Sequence, residues 1–67
     1  MTGDEFKAAR EQLGLSQSEL AQYIGLSGDR TVRKWELGER DVPGPVIVLM
    51  YVLLNCKPAR KLLGLEN

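Results

Sequence analysis

Four basic side chains lie close together in the middle of the chain, between Arg30 and Arg40. Lysine and arginine bind phosphate groups, and arginine can donate two hydrogen bonds to the acceptor edge of guanine. Arg30 and Lys34 lie four residues apart, so in a helix they occupy the same face. The stretch therefore has the composition of a nucleic-acid contact. The alternative is a solvated helix face on which Glu36 and Glu39 balance the charge.

The distribution of charge matters more than its total. The chain carries nine Lys and Arg and nine Asp and Glu, so its formal net charge is zero. Residues 30–40 hold four basic and two acidic side chains, whereas residues 1–29 hold two basic and five acidic ones. A positive surface depends on such clustering, so neutrality does not exclude a polyanionic ligand.

Other kinds of chemistry have few residues to use. The chain has no histidine and one cysteine, Cys56, which argues against an internal disulfide and a Cys/His zinc site. It shows no clustered carboxylates and no phosphate-binding glycine loop. We therefore expect no enzyme activity, cofactor, metal or small-molecule ligand. Cys56 lies in an apolar segment and is expected to be a buried small hydrophobic residue.

The location of the protein is predicted from the N-terminus and the apolar segments. The first residues lack the basic-then-apolar order of a signal peptide. The longest apolar run, residues 46–54, is far shorter than the roughly 20 residues that cross a bilayer. We expect a cytoplasmic protein without a membrane segment, in a reducing compartment.

The size and composition predict one all-α domain over residues 1–67. A chain of 67 residues supports only one core. Its hydrophobic content of 43% is that of a globular protein, and its few β-branched residues disfavour a sheet. Capping signals and apolar periodicity predict a compact bundle of about five short helices.

The first two helices have clear start and stop signals. Thr2 or Asp4 can cap the first helix, and Gly14 ends it. Ser16 and Glu19 form a capping box that starts the second helix at about Gln17. The second helix is expected to end at Gly25.

The remaining helices follow a tight turn. Ser27 or Asp29 can cap a third helix, which runs to about Leu37 and is closed by Gly38. Its apolar positions include Val32 and Trp35, which we expect in the core. A fourth helix, nearly all apolar, is predicted from about Pro45 to Asn55, and a short fifth one from Pro58 to Gly64.

Two short helices joined by a glycine-containing turn, the second polar outside, have the outline of a helix-turn-helix. The residue types at specific positions make this outline more specific. Residues 15–21 read L-S-Q-x-E-L-A, Gly25 occupies the turn, and residues 31–38 read T-V-x-x-W-E-x-G. Over about residues 4–56 the chain resembles the Cro and phage-repressor helix-turn-helix family, also called the xenobiotic-response-element family. The resemblance implies a lambda-repressor-like fold that binds double-stranded DNA.

The resemblance also implies which residues contact DNA. The third helix would lie in the major groove, where Arg30 and Lys34 reach base edges. Gln17 would bond a phosphate or a nearby base edge at the start of the second helix. Thr31, Arg33 and Arg40 would flank these contacts, mainly on phosphates.

The turn departs from the family pattern by one residue. The family usually has two residues between the serine of the turn and the threonine of T-V, whereas this chain has three, residues 28–30. The addition leaves open which side chains read bases. Asp29 either caps the third helix or accepts from cytosine N4. We favour the cap because a carboxylate in the groove would face phosphates.

The fourth helix is too apolar for a small core to cover completely. Exposed apolar surface of this kind marks an interface. The family binds paired half-sites as symmetric dimers, so we expect a homodimer through this helix. Its expected contact residues are Val46, Ile47, Met50, Tyr51 and Leu54.

The sequence thus favours a transcriptional regulator, in particular a homodimeric repressor on a partly palindromic operator. Two alternatives remain open. One is an antitoxin that represses its own operon, and the other is a protein-interaction module that kept the fold without binding DNA.

Overall fold

The computed structural model describes residues 1–56, Pro58 and Gly64. It contains α1 (Gly3–Gln12), α2 (Gln17–Ile24), α3 (Arg30–Leu37) and α4 (Gly44–Asn55). These residues form no strand, which confirms the all-α prediction. The fifth helix predicted between Pro58 and Gly64 lies outside the described residues, apart from those two positions. Within the described part of the chain, no helix is long and apolar enough to cross a membrane.

Capping boxes start the first two helices. Thr2, rather than Asp4, caps α1: its hydroxyl accepts from the Glu5 backbone N–H at 3.1 Å, and its own N–H donates to the Glu5 carboxylate at 2.7 Å. The backbone and then the side-chain hydrogen bond to Thr2 lower the pKa of Glu5. A lowered pKa favours folding near neutral pH, and this contribution is lost as the pH falls through the folded-state pKa. The predicted box at Ser16 and Glu19 is confirmed, with the matching bonds at 3.0 and 2.9 Å.

The helix ends also follow the predicted signals. Gly25 adopts a left-handed conformation with φ 91°, and its N–H and that of Leu26 both reach carbonyls of α2. Gly38 ends α3 in the same way with φ 78°. The backbone of this φ range disfavours side chains with a Cβ, so glycine defines where both helices stop.

The core is formed where α1, α3 and α4 meet, with α2 packed on α3. Phe6 and Trp35 meet edge to face, with ring centroids 5.5 Å apart and an interplanar angle of 79°. Such pairs add about 1 kcal/mol beyond the burial of their area. Val32 and Trp35 are buried as predicted, whereas Leu37 is 72% exposed. One side of α3 is therefore committed to the core.

The inner side of α4 corrects part of the dimer prediction. Met50 is fully buried in the core, so it is not available to a partner chain. Val46, Ile47 and Leu54 are half-buried and pack against that core. The error arose because apolar composition alone does not show which side of an apolar helix its neighbours cover. Cys56, expected to be buried, is half-buried.

The N-terminus of α1 lies directly against the end of α3. A Cβ added at Gly3 would lie 2.4 Å from the backbone oxygen of Glu36 and 2.6 Å from that of Trp35. Both neighbours are backbone atoms, so relief requires one helix to move. Gly3 therefore permits the close approach of α1 to α3.

We expect Gly3→Ala to lower the free energy of unfolding by about 2 kcal/mol, the usual cost of forcing atoms into a packed contact. Urea denaturation followed by circular dichroism measures it. Gly28→Ala is the matched control, because an added Cβ there meets no described atom within 4 Å. Equal stability of the two variants would contradict the close approach.

Candidate DNA interface

The outer side of α3 carries the basic residues that the sequence singled out. Arg30, Arg33 and Arg40 are exposed, and Lys34 is half-buried. Thr31 and Asp29 are half-buried at the start of the helix, and Gln17 is half-buried at the start of α2. Because Val32 and Trp35 fix the inner side of α3, the residues between them project outward. The structure thus gathers the candidate residues of α3 on one surface.

A buried ion pair that the sequence analysis missed joins α1 to α3. Arg10 Nε donates to Glu36 Oε2 at 2.6 Å, and Arg10 Nη2 donates to Glu36 Oε1 at 3.3 Å. Arg10 Nη1 also donates to the Leu15 carbonyl oxygen at 2.8 Å. The two side chains are only 10% and 5% exposed. A signal was present in the sequence, since Arg10 follows Phe6 by four residues and so shares its inward face.

Gln17 belongs to the same network. Its Nε2 donates to Glu36 Oε1 at 3.0 Å. The Gln17 amide has a second N–H, which this bond does not use. The contact fixes the first turn of α2 against α3. Two helices that approach the same DNA groove need such a fixed relative position.

The network changes the balance of charge on α3. The interpretation of this stretch as an ordinary solvated face assigned Glu36 as a partner of the exposed basic residues. That assignment is wrong, because Glu36 points inward to Arg10. Of the two acidic residues in residues 30–40, only Glu39 is exposed. The outer side of α3 is therefore more positive than the sequence alone indicates.

The turn before α3 corrects the role that we favoured for Asp29. Asp29 occupies the N-cap position, but within the described part of the chain its side chain makes no capping hydrogen bond. Its backbone has φ −87° and ψ 0°, whereas a capping side chain usually needs an extended backbone. Its Oδ2 instead accepts from Arg33 Nη2 at 3.1 Å. Arg30 is the first residue of α3, so the additional residue lengthens the turn.

A shallow hollow lies between α1, the start of α2 and α3. Lys7, Gln17 and Arg33 line it together with Asp4, Glu36 and Leu37. Lys7 was not among the predicted residues, because its position on α1 gave no reason to place it near α3. The hollow connects the outer side of α3 with α1 through charged, amide and apolar side chains.

An all-α fold in which a tight turn joins two short helices, the second with a basic outer side, defines a helix-turn-helix DNA-binding domain. The chain belongs to the Cro/C1-type helix-turn-helix family, whose model matches residues 6–65. Domains of this family are non-enzymatic and bind double-stranded DNA in regulators.

Two curated relatives share a segment with this chain. It is 50% identical over 40 residues to the type II methyltransferase M.SsoII of Shigella sonnei, a match that covers 57% of this chain and 11% of that protein. It is 51% identical over 35 residues to the type II methyltransferase M1.ScrFI of Lactococcus lactis subsp. cremoris, covering 49% of this chain and 9% of that protein. The similarity thus concerns a small part of each methyltransferase.

We expect Glu36→Gln to reduce the free energy of unfolding by about 3 kcal/mol, because Arg10 then stays buried without a counter-charge. Asp29→Asn is the control, since it removes an exposed ion pair worth less than about 1 kcal/mol. Thermal and urea denaturation measure both. A loss no larger for Glu36→Gln than for the control would show that the buried pair does not hold α1 to α3.

Proposed function

We propose that the chain is a transcriptional regulator that binds double-stranded DNA sequence-specifically. We propose further that it acts in the cytoplasm as a homodimeric repressor. The observation that carries the proposal is the charge arrangement of α3: its basic side chains point outward while Glu36 is held inward by Arg10. Family membership supports the DNA-binding part. The repressor role and the dimer are our own inference.

The proposed binding mode places α3 in the major groove. Arg30 lies in the first turn of α3, the part of a recognition helix that usually contacts base edges, and Lys34 follows one turn later. Thr31, Arg33 and Arg40 are assigned to flanking contacts, mainly with phosphates. Gln17 is assigned to a phosphate through the N–H that Glu36 does not use.

The proposed dimer uses the side of α4 that the core leaves uncovered. We call Val48, Tyr51 and Val52 the exposed α4 face; they are 62%, 53% and 41% exposed. Their spacing puts all of them on one side of the helix. Of the contact residues expected from the sequence, Tyr51 belongs to this face, and Ile47 and Leu54 lie beside it, half-buried. Val46 lies one turn before Met50, on the side of α4 that faces the core. A second copy placed here would bury apolar surface on both chains and present two copies of α3 to paired half-sites.

Repression would follow from occupancy of a promoter. A dimer bound across an operator that overlaps the polymerase site excludes the polymerase without any catalysis. We therefore propose that the chain binds and does not catalyse, and that its similarity to the methyltransferases reflects a shared binding segment.

Selection of bound sites from a random pool of duplex DNA tests the proposed function. We expect a partly palindromic site. On that site, Arg30→Ala and Lys34→Ala should each weaken binding by about 1–3 kcal/mol and relax the preference at one base pair. Glu11→Gln changes an exposed residue of α1 and is the control, which should leave the base preference unchanged.

The salt dependence of binding provides a second test of the same proposal. Contacts with about six phosphates predict that log K falls with log salt with a slope near −5. Recovery of no preferred site, together with an affinity independent of salt, would contradict DNA binding and favour a protein partner.

We expect Tyr51→Glu to dissociate the dimer, because it buries a charge in an apolar contact. Sedimentation velocity measures the change, with Tyr23→Glu as the control: Tyr23 is a similarly exposed tyrosine of α2, at 43%. A wild-type chain that stays monomeric at high concentration, or a Tyr51→Glu variant that stays dimeric, would contradict the proposed interface.

A further inference from the structure

We propose that Asp29 is a positioning residue for base recognition: its carboxylate holds the Arg33 guanidinium at the N-terminal end of α3, where Arg33 binds a guanine. The inference rests on the proposed function, because it assumes that α3 enters the major groove of DNA. It adds a specificity contact to Arg33, whose assignment so far was to phosphates.

The hydrogen bond places the Arg33 guanidinium beside the residue that precedes α3, one turn before Arg33 itself. Arg33 Nη2 lies 3.1 Å from Asp29 Oδ2, and Asp29 is the residue that precedes α3. The guanidinium is thus drawn back to the first turn. The first turn of a recognition helix is the part that contacts base edges most often.

The carboxylate of Asp29 contributes little to the stability of the fold. Its side chain makes no capping bond to the described backbone. Its pair with Arg33 is exposed, with 28% of the Asp29 side chain and 61% of the Arg33 side chain accessible. Exposed pairs at this spacing contribute little to folding. A negative charge on this surface also repels phosphates, so its presence favours a role in orientation.

One arginine side chain can bond a carboxylate and a guanine at the same time. A guanidinium has five N–H donors in a rigid plane, and Asp29 occupies one of them. Two further donors are enough to bond O6 and N7 of guanine. Holding the plane in advance also lowers the entropy lost on binding. Among the described residues, no other cation on the outer side of α3 is held by a carboxylate.

The Asp29 carboxylate would therefore determine which of two positions the Arg33 guanidinium takes: at the start of α3 or away from it. Arg33 also lines the hollow in which Lys7 and Gln17 lie together with the carboxylates of Asp4 and Glu36. Without the Asp29 carboxylate, the Arg33 guanidinium is free to turn away from the start of α3 and to bind a DNA phosphate instead. Loss of Asp29 then replaces a base contact by a contact that does not depend on sequence.

The test uses the full chain and the DNA site selected by the wild type. Each guanine of the site is replaced in turn by 7-deazaguanine, which lacks the N7 acceptor. We expect one guanine in each half-site whose replacement weakens wild-type binding roughly tenfold and does so only while Arg33 is present. Asp29→Asn and Arg33→Ala should be insensitive at that guanine, and Asp29→Glu should restore part of the sensitivity. The double variant, Asp29→Asn with Arg33→Ala, should bind the site no more weakly than Arg33→Ala alone.

Glu39→Gln is the matched control, since it removes the same charge from an exposed position after α3. It should keep the sensitivity to 7-deazaguanine, whereas Asp29→Asn should lose it and bind unselected DNA more tightly. Circular dichroism establishes that each variant is folded, and Asp29→Ser replaces Asp29→Asn if that variant does not fold.

The outcomes separate the two proposals. A wild type without any selected site contradicts the proposed function, and this inference with it. A selected site at which Asp29→Asn keeps the wild-type sensitivity to every 7-deazaguanine contradicts the positioning role alone. Additive losses in the double variant also contradict it, because Asp29 would then act independently of Arg33.

Discussion

The ion pair between Arg10 and Glu36 is the interaction on which the rest of the structure depends. It joins α1 to α3 in the interior, and the same two side chains reach the Leu15 carbonyl and Gln17 at the start of α2. Burying two charges costs several kcal/mol per ion, which is offset only when good geometry and further hydrogen bonds satisfy the remaining groups. Here Arg10 also bonds the Leu15 carbonyl, and Glu36 also accepts from Gln17. The pair therefore fixes the relative positions of three helices more strictly than apolar contacts alone, which tolerate sliding.

The same pair sorts the charges of α3 between inside and outside. Glu36 is neutralised in the interior, so it cannot balance the arginines and Lys34 on the outer side. A chain with zero formal charge can in this way present a positive surface. Asp29 is the residue at the start of α3 whose carboxylate pairs with one of these cations, Arg33. The buried ion pair that stabilises the fold thus also determines the charge of the surface that we propose contacts DNA.

Helix α4 obeys a different constraint. Its composition is apolar on nearly every side, yet α1 and the core cover only one side of it. Met50 and Leu53 complete the core, and Val48, Tyr51 and Val52 stay outside. A domain of this size has too little interior to cover both sides of such a helix. The exposed α4 face is the surface that the proposed dimer would cover.

The sequence by itself determined the local features: the box at Ser16, the glycines that end α2 and α3, the burial of Val32 and Trp35, and the helix-turn-helix identities. These depend on neighbours within one or two turns, so short-range rules suffice. Only the tertiary structure decided that Glu36 pairs with Arg10, that Met50 lies in the core, and that Asp29 binds Arg33 instead of capping α3. The ion pair joins residues 26 positions apart, and the other two depend on which side of a helix its neighbours cover and on the backbone angles of a lengthened turn. Periodicity and capping rules describe one helix at a time, so they carry no information about contacts between helices. Asp29 and Arg33 are only four residues apart, and there the backbone angles of the turn decided between a cap and an ion pair.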